Sequence, residues 1–185
     1  MTAEMRSILE QIKRDTGESM ISQCVYFSPT AITHVKRILE TGGTILADTD
    51  LLASGIDTQL LGSHGASVKC FIDDPQVLAL AEHRRITRAE IAVDYGLTLE
   101  GLKLFVIGSA PSSVNRILLR RAHEPLTDVC VLAAPTGFAS VVQLKERLVE
   151  SDLASIVVRG KKGGIPITVA IINAILREIN GIGKA

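Results

Sequence analysis

Cysteine is scarce and scattered in this chain: Cys24, Cys70 and Cys130 stand too far apart for the paired spacing that structural zinc or a redox couple requires. Their apolar or strand-like settings lead us to expect buried thiols. An excess of either charge is also lacking, because Lys plus Arg and Asp plus Glu each total 20. With no net field drawing it to nucleic acid or an anionic membrane, the chain must meet any anionic ligand with local positive charge. No apolar run approaches the roughly 18 residues of a membrane span. The opening Met1-Thr2-Ala3-Glu4-Met5-Arg6 interleaves acid and base where a secretory signal would carry an apolar core. A cytoplasmic protein is expected. Internal repeats and low-complexity linkers are missing too, and 185 residues at 46% hydrophobic and 22% charged suit one domain over 1–185 with a sizeable core.

The common catalytic signatures are absent. There is neither a Walker A loop nor a complete GxGxxG, which argues against a nucleotide site. There is no GxSxG elbow, and no histidine follows a strand, so a hydrolase is poorly supported. Of the four histidines, His34 falls on a helical stretch, His83 and His123 lie near helix ends beside arginines, and His64 precedes a strand. None forms the i, i+4 pair of a helical metal site, so no metal is expected.

What is present is alternation. Met5, Ile8, Leu9 and Ile12 recur at helical spacing over 3–14, ahead of a stop at Thr16-Gly17. Ser28-Pro29 reads as the cap and first position of a second helix that carries Ile32, Val35, Ile38 and Leu39 inward before Gly42-Gly43. Short apolar runs at 44–47, 68–72, 104–107, 129–133 and 156–158 read as strands covered on both faces, with helical stretches between most of them. This pattern predicts an α/β, single-domain, three-layer, doubly wound fold with a mainly parallel five-stranded sheet and helices on both faces.

Ligands of such sheets gather outside the carboxyl ends of the strands, so the residues just after each strand become the candidate site. After the third strand, Gly108-Ser109-Ala110-Pro111-Ser112 places free amides at a helix start, either an anion receptor or an ordinary capped turn. After the last strand, Arg159-Gly160-Lys161-Lys162-Gly163-Gly164 is either an anion cradle or a solvated basic loop whose glycines permit the turn. Thr87 with Glu90 reads as a capping box, which puts Arg88 in a first turn where the macrodipole gives a cation no advantage. Arg88 is thus either a functional cation or a tolerated surface residue.

In order along the chain, these segments resemble the precorrin-8X methylmutase family over about residues 11 to 175. Phe27-Ser28-Pro29 resembles the family's FSP, and Asp48-Thr49 with Ala53-Ser54-Gly55-Ile56 resembles its DTxMVAxGI stretch. Asp74-Pro75 matches a DP, Thr87-Arg88 a TR pair, and Ile107 to Ser112 an IGNAPT turn. Pro135-Thr136-Gly137-Phe138 is similar to PVGF, and Val158 to Gly164 to VRGRKGG.

The resemblance implies an isomerase of cobalamin biosynthesis that moves a methyl group between neighbouring carbons of ring C. Its substrate would be precorrin-8X or cobalt-precorrin-8 and its product a cobyrinic acid. It also implies a homodimer whose subunits share a corrinoid cleft, with no cofactor. The substrate-contacting positions it implies are Asp48, Thr49, Thr87, Arg88, Gly108, Ser109, Ser112, Gly137, Phe138, Arg159, Lys161, Gly163 and Gly164.

The sequence departs from the family's pattern in places. Ser109 stands where asparagine is usual, Asp50 where asparagine is frequent and Thr136 where valine is common. Counting back from Phe27, the family's catalytic histidine falls on Arg14. Histidine exchanges a proton near neutral pH, whereas arginine stays charged. A corrinoid-binding or carrier protein with impaired chemistry is therefore the alternative expectation.

Overall fold

The computed structural model describes residues 2–62 and 65–182, so His64 lies outside the described residues. In chain order the strands are β1 (Val25–Phe27), β2 (Thr44–Ala47), β3 (Ser67–Cys70), β4 (Lys103–Ile107), β5 (Val129–Ala133) and β6 (Ala154–Val158). The helices are α1 (Ala3–Thr16), α2 (Ala31–Glu40), α3 (Asp50–Gly55), α4 (Pro75–Arg84), α5 (Arg88–Leu97), α6 (Pro111–His123), α7 (Ala139–Glu150) and α8 (Ile165–Ile179). The strands form one sheet in the order β1-β6-β5-β4-β2-β3, parallel except for β1.

Every residue of β2, β4, β5 and β6 is buried, as expected of strands covered on both faces. Alternate side chains sort into two cores. Ile45, Leu104, Val106, Leu132 and Ile156 pack with α1, α2, α3 and α8, while Leu46, Phe105, Ile107, Val131 and Val157 pack with α5, α6 and α7. The apolar helix α8 fully buries Ile171, Ile172, Ile175 and Leu176. Each contributes about 1.5–3 kcal/mol relative to exposure. Helix α4 packs through Val77 and Ala81 on Ile91 in a small satellite core.

Three expectations need correction. Among the described residues the sheet has six strands, because Val25-Tyr26-Phe27 pairs antiparallel with Val158, Val157 and Ile156. Ser28 does not cap a helix: its N–H donates to Ser155 O at 2.8 Å and its Oγ accepts the Ser155 N–H at 2.8 Å. The hydroxyl thus extends the ladder by accepting the Ser155 N–H, and α2 begins later, behind Thr30. Of the cysteines only Cys130 is fully buried, its thiol pushed up to about 12 by burial, while Cys24 and Cys70 are half-buried.

Candidate functional site

Strand order reverses between β2 and β4: the chain leaves β2 toward β3, then returns across β2 to place β4 on its other side. A crevice opens at the carboxyl ends of strands around such a reversal. Asp48, directly after β2, fills its base. Its Oδ2 accepts the N–H groups of Gly108 at 3.1 Å, Ser109 at 2.7 Å and Ala110 at 2.8 Å, ahead of α6. The amides expected to receive a ligand carboxylate therefore hold an internal one. Asp48, expected to touch substrate, is buried and organises the turn instead. Its Oδ1 has no hydrogen-bond partner among the described residues.

Thr49 caps α3, its hydroxyl accepting the Leu52 N–H at 3.2 Å. Thr87 makes the expected capping box with Glu90. Its hydroxyl also lies 3.4 Å from that of Ser112, so the starts of α5 and α6 meet. Arg88 projects from the first turn of α5 to Asp73 after β3, with Nη1 and Oδ1 2.6 Å apart and both side chains more than half exposed. Such a pair is worth about 0–1 kcal/mol and leaves the guanidinium free to exchange partners.

Toward the other border of the sheet, Arg159 follows β6 and forms a bidentate pair with Glu146 of α7. That bond holds Glu146 below its ordinary carboxylate range and raises Arg159. Lys161 and Lys162 are exposed, and Lys162 Nζ is 2.5 Å from Glu18. Gly163 and Gly164 bring this loop onto the one after β5. Gly164 N–H donates to Ala134 O at 2.7 Å, and Gly163, at φ +151°, passes so close that a Cβ would sit 2.0 Å from the same oxygen. Only glycine fits there. Gly137 and Phe138 follow β5, with Phe138 capping α7 and 83% exposed.

The segment before β1 also reaches this edge, and a reading of post-strand segments alone missed it. Because β1 is antiparallel, its beginning lies beside the end of β6: Val25 pairs with Val158, and Arg159 N–H donates to Cys24 O at 2.7 Å. The stretch from the end of α1 to Cys24 is thereby delivered to the site, as the Glu18–Lys162 contact records. Arg14 lies in the last turn of α1, exposed, with Nη2 bonded to Gln11 Oε1 at 2.8 Å.

Lys145 was also missed. It is fully buried in α7, and its Nζ donates to Pro135 O at 3.1 Å and Lys162 O at 3.0 Å, one carbonyl in each loop. Burial lowers it from the ordinary lysine range to about 8. The signal was present, since Val141, Lys145 and Leu148 are spaced as one helix face. Among the described residues, no three His, Cys, Asp or Glu side chains converge as metal ligands, and no helix is long and apolar enough to cross a membrane.

Fold and site together define a doubly wound α/β protein whose carboxyl edge carries cations at both ends of the sheet and apolar side chains between them. The Precorrin-8X methylmutase family model matches residues 1–178, and the chain belongs to that family. It is 32% identical over 174 residues to the cobalt-precorrin-8 methylmutase of Salmonella typhimurium, covering 94% of this chain and 81% of that protein. It is 30% identical over 170 residues to the cobalt-precorrin-8 methylmutase of Methanothermobacter thermautotrophicus, covering 92% and 79%. A solved precorrin-8X methylmutase related protein superposes with a TM-score of 0.87 at 25% identity, over 96% of this chain and 93% of that one. The precorrin-8X methylmutase from Thermus thermophilus superposes with a TM-score of 0.84 at 26% identity, over 98% and 88%.

Proposed function

We propose that the chain is a methylmutase of cobalamin biosynthesis that binds precorrin-8X or its cobalt form and moves a methyl group within ring C. One observation carries the reading: the order of chemistry along the carboxyl edge. Arg88 stands beside Asp73 after β3, and Arg159 and Lys161 follow β6. These two strands are four sheet spacings apart, roughly 19 Å. Between them, after β2 and β5, stand Leu51 and Phe138, 68% and 83% exposed. A flat apolar ring edged with carboxylates fits such a row, its face on the hydrocarbon and its acids on the outer cations.

In the reaction the methyl group leaves one ring carbon and bonds to its neighbour, so no co-substrate is needed. The protein's contribution is to hold the ring, exclude water and supply a hydrogen-bond donor where charge develops. Arg14 is the donor we assign to the position the family gives its histidine. Thr87, Ser109, Ser112, Gly137 and the 159–164 loop complete the cleft, and Thr49 and Asp48 support it from beneath. We take the protein to work in the cytoplasm, with a second copy closing the cleft.

The test is absorbance titration with cobyrinic acid, followed by incubation with precorrin-8. Product binding and conversion are expected, with conversion slow because a permanently charged guanidinium cannot cycle a proton as imidazole does. Arg14→His should raise the rate at saturating substrate by up to about 10²–10⁴-fold. Rapid native turnover that Arg14→His slows would show that arginine is itself the working donor. Failure to bind any corrinoid would overturn the reading.

A further inference from the structure

Among the described residues two lysines are fully buried, Lys103 and Lys145. Lys103, at the amino end of β4, has the Asp128 carboxylate and the Gly101 carbonyl as partners, which account for its charge. Lys145 bonds only to the neutral carbonyls of Pro135 and Lys162. Leaving an ammonium inside without a counter-ion is costly, and a core built only for stability would carry leucine or methionine there.

No carboxylate among the described residues bonds to Lys145. Glu146, next to it on α7, favours the ammonium through its charge, but its oxygens are bonded to Arg159. Lys162, from the loop after β6, is paired through its own ammonium with Glu18. Cys24, from the segment before β1, contributes a thiol, whose charge would favour the ammonium. What the ammonium does touch is the site itself. The Gly164 N–H bond to Ala134 O joins the two loops at one point, and Lys145 joins them at a second, next to Thr136–Phe138 on one side and Lys161 on the other.

We propose that Lys145 is a positioning residue of the corrinoid site: its buried ammonium ties the carbonyls of Pro135 and Lys162 together, holding the 135–138 and 159–164 loops at the spacing a ligand carboxylate needs. The inference rests on the corrinoid reading above. A bound carboxylate also adds negative charge near an ammonium that bonds only to neutral carbonyls, so ligand and proton favour one another.

The test titrates cobyrinic acid into the full chain, wild type and Lys145→Met, with Tm followed in parallel. At pH 7 the variant should bind on the order of ten-fold more weakly. Its Tm should hold level or rise, because an unmatched buried charge is gone. In the wild type, affinity should fall several-fold between pH 7 and pH 9.5 as Lys145 passes about 8 and loses its proton, while Lys145→Met stays flat. Unfolding cannot mimic this loss. The unfolded lysine keeps its proton to about 10.5, so between about 8 and 10.5 the folded state gains stability as pH rises. Equal affinity in Lys145→Met overturns the proposal. Should that variant not fold, a wild-type affinity unchanged from pH 7 to pH 9.5 overturns it. A wild type that binds no cobyrinic acid at any pH sinks the corrinoid reading itself, and this inference with it.

Discussion

At the scale of single residues, the site rests on two buried charges with opposite duties. Asp48 satisfies three N–H groups at the start of α6 with one oxygen. Asp48→Ala should therefore cost about 2–3 kcal/mol, because it strands donors in a closed turn. Asp48→Asn keeps an acceptor but gives up the negative charge at a helix start, and should lose only about 1 kcal/mol. Urea unfolding of the two variants measures the difference, and equal losses would mean that charge, not hydrogen bonding, dominates. Neither duty was legible in the sequence, although the spacing of Lys145 with Val141 and Leu148 places it on the inner face of α7. Asp48 and Gly108 are sixty positions apart and meet only because β4 is laid against β2. In Gln143-Leu144-Lys145-Glu146-Arg147 a lysine looks solvated, and only the loops folding over α7 bury it.

At the scale of elements, the sequence reading was sound where a hydrophobic run was long and weak where pairing decides. The runs at β2, β4 and β5 were legible as doubly covered strands, and Thr87 with Glu90 as a capping box. Val25-Tyr26-Phe27 is too short to announce itself and is a strand only because β6 offers it an edge. Missing it also hid the route by which the end of α1 reaches the carboxyl edge. The contact between the loops after β5 and β6 is the most sensitive joint. In Gly163→Ala the added Cβ meets Ala134 O, in a backbone region alanine avoids. The substitution should cost about 1–3 kcal/mol and weaken corrinoid binding by shifting Arg159 and Lys161. Thermal unfolding and the same titration check both effects. A Tm loss with full affinity would show that the loops find their places without that contact.

At the scale of the whole molecule, the carboxyl edge displays apolar side chains that a second copy could cover. Met20, Leu51 and Phe138 are large apolar side chains left exposed there, and a monomer gains nothing from displaying them. A second copy covering this face would close the cleft over its ligand, and light scattering at micromolar concentration should give twice the 19.8 kDa chain mass. A monomer that binds corrinoid tightly would show instead that one copy suffices. The sheet's two borders pose a different problem. On one side the outermost parallel strand is sealed by β1, which turns its own back outward as only three residues, with Pro29 two positions beyond its end. On the other side β3 pairs, among the described residues, with β2 alone, and Lys69 is its exposed residue. A short strand and a central lysine discourage uninvited strand pairing. The same topology that builds a broad binding edge thus guards the protein against aggregation, and replacing Lys69 with an apolar residue would remove that guard.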